Sequence, residues 1–168
     1  MVLLLGGARS GKSSLAVELA REWAQPVTVI ATAEARDDEM AERIRAHRDE
    51  RPADWTTVEA PVELERAMAA VPAGNGLVVD CLTLWVANLV DRGDADADVE
   101  EASRAAAAQA SRRSGPTVVV SNEVGLGVVP ATELGRRYRD LLGRVNAEWA
   151  SVAESAALVV AGRRLPLS

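Results

Sequence analysis

The sequence predicts an α/β fold with a mostly parallel sheet, formed as a single domain over residues 1–168. Apolar runs of strand length alternate along the chain with segments of helical spacing, an order typical of parallel sheets with right-handed crossovers. Several of these runs are continuously apolar, as expected for strands that are buried on both faces. Sheets of this class bind ligands beyond the carboxyl ends of their strands.

The predicted elements alternate in type from the first residues onward. Strands are predicted where short apolar runs occur, over residues 2–5, 27–31, 55–58, 77–80, 117–121 and 158–161. Helices are predicted over residues 12–24, 62–71, 82–90, 99–113 and 133–153. A further charged helix opens at Asp37 and must end before Pro52, because proline cannot continue it. The acidic stretch 91–98 and the glycine-containing stretch 122–130 are predicted connections.

The first strand leads into Gly6-Gly7-Ala8-Arg9-Ser10-Gly11-Lys12-Ser13, which matches the Walker A pattern G-x-x-x-x-G-K-[ST]. Lys12 is the only lysine of the chain, and its compact ammonium is not replaced easily by the planar fork of an arginine. In this motif backbone N–H groups wrap phosphates, the lysine reaches the terminal ones and the hydroxyl, here of Ser13, holds Mg²⁺. The motif therefore predicts a P-loop NTPase-like three-layer fold that binds a nucleoside triphosphate at a helix N-terminus.

Polar residues stand at the ends of several predicted strands, where this fold class gathers its ligands. Lys12, Thr32, Asp80 and Glu123 all fall at such ends. Asp80 ends an apolar strand, the place where P-loop proteins hold a carboxylate for Mg²⁺, directly or through water. Its alternative role is to cap the helix that begins at residue 82. Glu123 also has two open roles, one at the metal or a substrate hydroxyl and one as a cap of its own loop.

His47, the only histidine, lies on the charged second helix. Met40, Ile44 and His47 are spaced i, i+4 and i+7, so they form one stripe that faces the protein body. Arg43 and Arg51 lie one turn to either side on nearly the same face. We expect these guanidinium groups to keep the imidazole neutral, because like charge disfavours the imidazolium. A neutral imidazole beside cations that hold phosphates is suited to attack a nucleotidyl group, and a structural role on a half-apolar helix face is the alternative.

Composition is that of a globular protein and argues against several functions. The 168 residues are 48% hydrophobic and 26% charged. A net charge of −6, the lack of a separate basic cluster and an aromatic content of 3% argue against nucleic-acid binding. No apolar run reaches the length of a membrane span, and Met1 leads directly into a core strand without a signal peptide. We therefore expect a soluble, cytoplasmic protein.

Further motifs follow at short intervals, and together they are more specific than the phosphate-binding loop alone. They are Ile30-Ala31-Thr32-Ala33, Asp37-Asp38-Glu39-Met40, Arg43-Ile44-x-x-His47, Arg51-Pro52-x-x-Trp55, Asn122-Glu123-Val124-Gly125-Leu126-Gly127-Val128-Val129-Pro130 and Gly143-Arg144-Val145-Asn146. With the loop at residues 6–13, this set resembles the bifunctional adenosylcobinamide kinase/adenosylcobinamide-phosphate guanylyltransferase family of cobalamin biosynthesis. The likeness covers nearly the whole chain, from Leu3 to about Gly162.

The resemblance implies an enzyme with two activities. It would phosphorylate the aminopropanol hydroxyl of adenosylcobinamide with ATP or GTP. It would then attack the α-phosphorus of GTP with a histidine and pass the guanylyl group to adenosylcobinamide phosphate, giving adenosylcobinamide-GDP. His47 matches the position of that histidine, and Lys12 would act on the transferred phosphates. Members of the family that this chain resembles form trimers with sites between subunits, so the resemblance leads us to expect a homotrimer.

The resemblance also implies where the nucleotide and metal bind. Ser13 and Asp80 are the expected metal-binding residues. Outside residues 6–13, the expected nucleotide contacts are Ala31, Thr32, Ala33, Arg48, Asp49, Glu50, Arg51, Glu59 and Asp80. Ala33, where a serine is frequent, and Ala46, where some relatives have a second histidine, depart from the pattern without removing a required group.

A small monofunctional P-loop kinase that acts on a metabolite hydroxyl is the main alternative function. It would use the same phosphate loop and Asp80, but His47 would then be structural. A GTPase-type switch reads guanine with an Asn/Thr-Lys-x-Asp motif, which a chain with Lys12 as its only lysine does not contain.

Overall fold

The computed structural model describes residues 1–167, which form one seven-stranded sheet flanked by helices. The strands are β1 (Val2–Gly6), β2 (Val27–Ala31), β3 (Thr56–Glu59), β4 (Gly76–Asp80), β5 (Thr117–Asn122), β6 (Ser155–Val160) and β7 (Arg163–Leu167). The helices are α1 (Lys12–Arg21), α2 (Asp38–Asp49), α3 (Leu64–Ala70), α4 (Leu82–Arg92), α5 (Asp96–Ser111) and α6 (Glu133–Val152). The predicted alternation of strands and helices is thus confirmed.

The strand order is β3-β2-β4-β5-β1-β6-β7, and every neighbouring pair is parallel except β6 and β7. The central strands β1, β2, β4 and β5 are buried over most of their length, as their continuous apolar runs predict. The predicted mostly parallel sheet is therefore confirmed. Because β1 lies between β5 and β6, the loop that follows it is bordered by the ends of both strands.

The core has two parts, one on each face of the sheet. Ala16 and Ala20 of α1 belong to the part that also contains Leu4 of β1. The other part is larger and contains the buried faces of α3, α4, α5 and α6, with Trp85 and Trp149 among its fully buried side chains. Helix, sheet and helix thus form the three predicted layers. Within residues 1–167, none of the helices has the length and apolar character needed to cross a bilayer.

The register of the sheet aligns the strand ends that carry the predicted site residues. Ala31 at the end of β2 pairs with Asp80 of β4 on one side and with Glu59 of β3 on the other. Gly6 at the end of β1 pairs with Asn122 of β5. The carboxyl edge of the sheet therefore presents these residues in one row, next to the phosphate loop.

One strand of the sheet is not predicted by the sequence. After β6, Ala161 and Gly162 form a tight turn with φ values of 48° and 72°, and β7 returns antiparallel along β6. All five residues of β7 are exposed and one is Pro166, so no buried apolar run marks this strand. Proline is tolerated there because β7 is an edge strand.

The connection between α4 and α5 is shorter than the acidic stretch 91–98 that the sequence predicts. α4 continues to Arg92 and α5 already begins at Asp96, so only residues 93–95 connect them. Asp96 lies in the first turn of α5, where a carboxylate is favoured by the helix dipole. It also accepts hydrogen bonds from Arg137 and Arg144 of α6. Because these arginines lie more than forty residues further along the chain, spacing alone does not reveal the pairing.

Candidate active site

The loop between β1 and α1 is held in shape by two glycines and by backbone hydrogen bonds. Gly6 has a φ of 155°, and a Cβ built there would lie 2.3 Å from the carbonyl oxygen of Val159, so only glycine fits. Gly11 has a φ of 97° and precedes α1. The carbonyl of Ser10 accepts a hydrogen bond from the N–H of Gly162 at 2.8 Å, which ties the loop to the turn after β6. The N-terminus of α1, with its N–H groups and positive dipole end, is thus fixed at the carboxyl edge.

Lys12 is the first residue of α1 and is only 6% exposed. Its ammonium donates to the carbonyl of Gly7 at 2.6 Å and to the hydroxyl of Ser10 at 3.3 Å, so the side chain folds over the loop. Burial lowers the pKa of Lys12, and the charge of Asp80 opposes this shift. The ammonium is therefore held inside the loop, close to the N–H groups that would bind the same phosphates.

Asp80 joins the phosphate loop to the helix that carries His47. Its Oδ1 accepts a hydrogen bond from Ser13 Oγ at 3.2 Å. Its Oδ2 lies 3.6 Å from His47 Nδ1 and 3.6 Å from Arg51 Nη2. Helix α4 has Cys81 at its N-cap position and no side-chain capping bond, so the structure does not support the capping role for Asp80. Four of the predicted residues are therefore brought into one cluster.

The charge state of His47 differs from the sequence-based expectation. The contact with Asp80 raises the pKa of His47 above 6.5, and it outweighs burial and the Arg43 charge, which both lower it. The expectation that flanking guanidinium groups keep the imidazole neutral is therefore wrong. Spacing along α2 cannot show that β4 places a carboxylate beside the ring. Burial alone would raise the pKa of Asp80, but its contacts with His47, Arg51 and Ser13 outweigh burial and hold that pKa below 3.8.

His47 lies on helix α2, which packs only lightly against the rest of the chain. Asp37 caps the helix, since its side chain accepts a hydrogen bond from the Met40 N–H at 2.7 Å. Met40, Ile44 and His47 are half-buried and share one face, which confirms the predicted stripe. No residue of α2 is fully buried, however, so the helix is attached to the protein body by this stripe rather than by a deep core.

Thr32 holds the backbone next to Asp80 through hydrogen bonds to Cys81. Its side chain is fully buried, and its hydroxyl donates to the Cys81 carbonyl at 2.6 Å and accepts from the Cys81 N–H at 2.9 Å. Asn88 in turn donates to the carbonyls of Thr32 at 2.8 Å and Pro61 at 3.0 Å. Its hydroxyl thus fixes the backbone directly after Asp80. The sequence-based expectation that Thr32 contacts the nucleotide stays a prediction.

The other expected nucleotide contacts lie around this cluster. Ala31 stands beside Asp80 at the strand ends, Glu59 lies on the other side of Ala31, and Ala33 is half-buried in the segment after β2. Arg48, Asp49 and Glu50 lie at the C-terminal end of α2, and all three are exposed. The Arg51 side chain, by contrast, is only 9% exposed because it turns inward to Asp80. Contact of these residues with a nucleotide stays a prediction.

Ser13 and Asp80 fit the donor set that Mg²⁺ takes in P-loop proteins. A hydroxyl oxygen and a carboxylate oxygen lie 3.2 Å apart at the start of α1, and magnesium is a hard cation that prefers oxygen ligands. In such sites the nucleotide phosphates supply further oxygens. Within residues 1–167, no group of three or more His, Cys, Asp or Glu side chains could hold a metal ion by itself. The fit is therefore to a metal that binds together with phosphates.

Glu123 lies at the end of β5, next to the phosphate loop. Its N–H donates to the carbonyl of Gly6 at 2.9 Å, and its carboxylate accepts a hydrogen bond from the Gly125 N–H. The loop-capping role that the sequence leaves open is thus present in this structure.

A buried polar network under the loop 122–130 is not predicted from the sequence. Thr83 Oγ1 accepts a hydrogen bond from the Asn122 N–H at 2.6 Å, and Asn146 Nδ2 donates to the Asn122 carbonyl at 3.0 Å. Ser121 Oγ donates to Asn146 Oδ1 at 2.6 Å. Of these residues, Asn146 carried the clearest signal, as the last residue of the Gly-Arg-Val-Asn motif. The network fixes the point at which the loop leaves the sheet.

Comparisons with known proteins find similar sequences over nearly the whole chain. A family model described as cobinamide kinase / cobinamide phosphate guanyltransferase matches residues 2–167. A protein named bifunctional adenosylcobalamin biosynthesis protein CobP, from Pseudomonas aeruginosa, is 45% identical over 166 residues, which cover 98% of this chain and 95% of the relative. Proteins named bifunctional adenosylcobalamin biosynthesis protein CobU are 39% identical in Salmonella typhimurium and 41% identical in Escherichia coli, with 96% of each chain covered.

Among solved structures, an ATPase from the type III secretion system of pathogenic bacteria superposes with a TM-score of 0.55 at 10% sequence identity. The match covers 94% of this chain and 50% of that chain. At this identity the likeness shows the fold alone, which is that of a P-loop ATPase.

Proposed function

Since the chain belongs to the cobinamide kinase / cobinamide phosphate guanyltransferase family, we propose that it phosphorylates adenosylcobinamide and then transfers GMP from GTP to the phosphorylated product. The first reaction uses ATP or GTP, and the second proceeds through guanylylated His47. The observation that carries the proposal is the position of Asp80, whose two oxygens contact Ser13 of the phosphate loop and His47 of α2. One carboxylate thereby links the expected phosphate site to the expected nucleophile.

Phosphorylation depends on the phosphate loop. The backbone N–H groups at the start of α1 bind the phosphates, and the Lys12 ammonium leaves the Gly7 carbonyl to neutralise the charge that develops on the transferred group. Ser13 and Asp80 would hold Mg²⁺, which when bound supplies positive charge to the phosphate oxygens. The acceptor hydroxyl oxygen forms a bond to the γ-phosphorus as the bond to the bridging oxygen breaks and the nucleoside diphosphate leaves.

Guanylyl transfer depends on the orientation of His47. Nδ1 faces Asp80 Oδ2, so the proton stays on Nδ1 and the lone pair of Nε2 is the nucleophile. Nε2 forms a bond to the α-phosphorus of GTP while the bond to the bridging oxygen breaks and pyrophosphate leaves. The Asp80 carboxylate then stabilises the positive ring. A phosphate oxygen of adenosylcobinamide phosphate next attacks the same phosphorus, and the phosphorus–nitrogen electron pair returns to Nε2.

Labelling with α-³²P-GTP in the presence of magnesium tests this function. The chain should acquire an acid-labile, base-stable label, as expected of a phosphorus–nitrogen bond. It should lose the label when adenosylcobinamide phosphate is added. A monofunctional metabolite kinase would phosphorylate its substrate without any label on the chain, so this experiment separates the two candidate functions.

We extend the family resemblance to a homotrimer. The support from the fold is that α2, which carries His47, buries none of its residues fully against its own chain, so a second subunit could cover it. Light scattering of the purified protein should give three times the mass of one chain, and a monomer at assay concentrations would contradict this assignment.

A further inference from the structure

The loop between β5 and α6 exposes apolar side chains to an unusual degree. Leu126 is 81% exposed, Val128 95% and Val129 62%. They occur within four residues, and clustered apolar side chains on a protein surface are a common mark of a binding site. Neither phosphorylation nor guanylyl transfer, as proposed above, assigns a role to these three side chains.

Both ends of this loop are anchored, so the apolar residues project from a fixed base. At its start, the loop is held by the buried network around Asn122. At its end, Arg136 donates to the carbonyls of Pro130 at 3.0 Å and Ala131 at 2.8 Å, and Thr132 caps α6. Fixed ends limit the conformational entropy that binding would have to remove.

The base of the loop adjoins the phosphate site. β5 is the direct neighbour of β1, and the N–H of Glu123 bonds to Gly6, the residue at which the phosphate loop begins. A hydroxyl that is to be phosphorylated must approach the terminal phosphate from outside the loop that carries Lys12. Glu123 is a carboxylate at that border, and Leu126 and Val128 follow it on the solvent side.

We propose that this loop is the docking surface for the corrin macrocycle of the acceptor, and that Glu123 accepts the hydrogen bond of the hydroxyl to be phosphorylated. The proposal rests on the proposed function, which supplies a corrinoid as the substrate. A corrin ring carries methyl groups on its flat body and amide groups at its rim, so it needs exposed apolar side chains together with backbone polar groups. Leu126 and Val128 supply the apolar contacts, and the backbone N–H of Gly127, which lies between them, supplies a polar group.

The step balances with the groups named. The acceptor oxygen forms a bond to the γ-phosphorus, the bond from that phosphorus to the bridging oxygen breaks, and its electron pair leaves with the nucleoside diphosphate. The hydroxyl proton passes to Glu123, which gives up its hydrogen bond from the Gly125 N–H to accept it. Formation of the guanylyl-histidine involves no acceptor hydroxyl, so Glu123 has no part in it.

Two sets of variants test the proposal. In the first, Leu126→Ser combined with Val128→Ser removes the apolar contacts, and Leu165→Ser is the control because Leu165 is 61% exposed on edge strand β7. Cobinamide binding is measured by equilibrium dialysis through its visible absorbance, and labelling of His47 by α-³²P-GTP is measured alongside. The double variant should bind cobinamide at least about tenfold more weakly, with labelling and the mass of the assembly unchanged. Leu165→Ser should bind as the wild type does.

The second variant, Glu123→Gln, should bind cobinamide as tightly as the wild type and become labelled at the wild-type rate. Its kcat for phosphorylation should fall on the order of 10²-fold, since the positioned base is lost. A wild-type kcat would overturn the role of Glu123. Unchanged cobinamide affinity in the double variant would overturn the docking surface, and so would a change in the mass of its assembly, which would make the loop a contact between copies. Wild-type protein that binds cobinamide without phosphorylating it would refute the proposed function alone.

Discussion

Replacement of Asp80 by asparagine tests the connection between the phosphate loop and the proposed nucleophile. Asparagine has the size of aspartate and can still accept the hydrogen bond of Ser13, but it removes the negative charge that lies 3.6 Å from both His47 and Arg51. Because the Arg51 side chain is 9% exposed and keeps its charge, we expect the free energy of unfolding to fall by about 1–3 kcal/mol. Burial and the charge of Arg43 remain and lower the pKa of His47; burial has a larger effect than the charge of Glu50, which raises it, so this pKa should fall below 6.5.

The assay is the second-order rate constant of guanylylation by α-³²P-GTP as a function of pH, which reports the free enzyme. In the wild type the rate should rise with pH through a midpoint above 6.5, because the imidazolium must lose a proton before it attacks. In Asp80→Asn the midpoint should move below 6.5 and the maximal rate should fall, with part of the loss restored by raised Mg²⁺. Glu42→Gln, which removes an exposed carboxylate of α2 that lies 3.9 Å from Arg45, is the control and should keep the wild-type profile. Equal midpoints in the wild type and Asp80→Asn would refute the reasoning.

Lys12→Ala should lower both activities on the order of 10²–10⁴-fold while the circular dichroism spectrum stays that of the wild type, and near wild-type turnover would refute its role at the phosphates. Gly6→Ala should lower the free energy of unfolding by about 1–3 kcal/mol, because its Cβ would meet a carbonyl oxygen 2.3 Å away, whereas Gly7→Ala, with nothing within 4 Å, should melt near the wild-type temperature. The contact of His47 with Asp80 should stabilise the fold by about 0.5–1 kcal/mol. That contribution should be largest between pH 3.8 and 6.5, because it is lost as the pH falls through the lowered pKa of Asp80 and as it rises through the raised pKa of His47. Denaturant unfolding of the wild type and His47→Asn across pH measures it, and a difference that is constant with pH would contradict it.

Most of the fold could be predicted because its signals are local. The strands β1, β2, β4 and β5 are continuous apolar runs, and the Walker A pattern indicates the loop between β1 and α1. The edge strand β7 has no such signal, since it buries no residue and depends on the turn at Ala161 and Gly162. The start of α5 was also misplaced, because its acidic first turn is stabilised by arginines of α6 that are distant in the sequence.

Several residues that the sequence predicts for the site lie together in the structure, but the contacts between them were not predicted. Asp80 and His47 each follow from a local pattern, yet their contact depends on how α2 lies across the end of β4. That contact reverses the expected direction of the His47 pKa shift. The role of Thr32 likewise depends on its hydrogen bonds to the Cys81 backbone, which no spacing along β2 indicates.

The central claim is that His47 is the residue that carries the guanylyl group. The most direct measurement is the incubation of the wild type and His47→Asn with α-³²P-GTP and Mg²⁺, beside a phosphorylation assay with adenosylcobinamide and a melting curve of each protein. The wild type should carry an acid-labile label. His47→Asn should carry none and transfer no GMP, yet phosphorylate adenosylcobinamide within about tenfold of the wild-type rate, because that reaction depends on the phosphate loop. Transfer of GMP by His47→Asn would contradict the claim, since the chain has no other histidine. Joint loss of both activities and of thermal stability would show that His47 is structural.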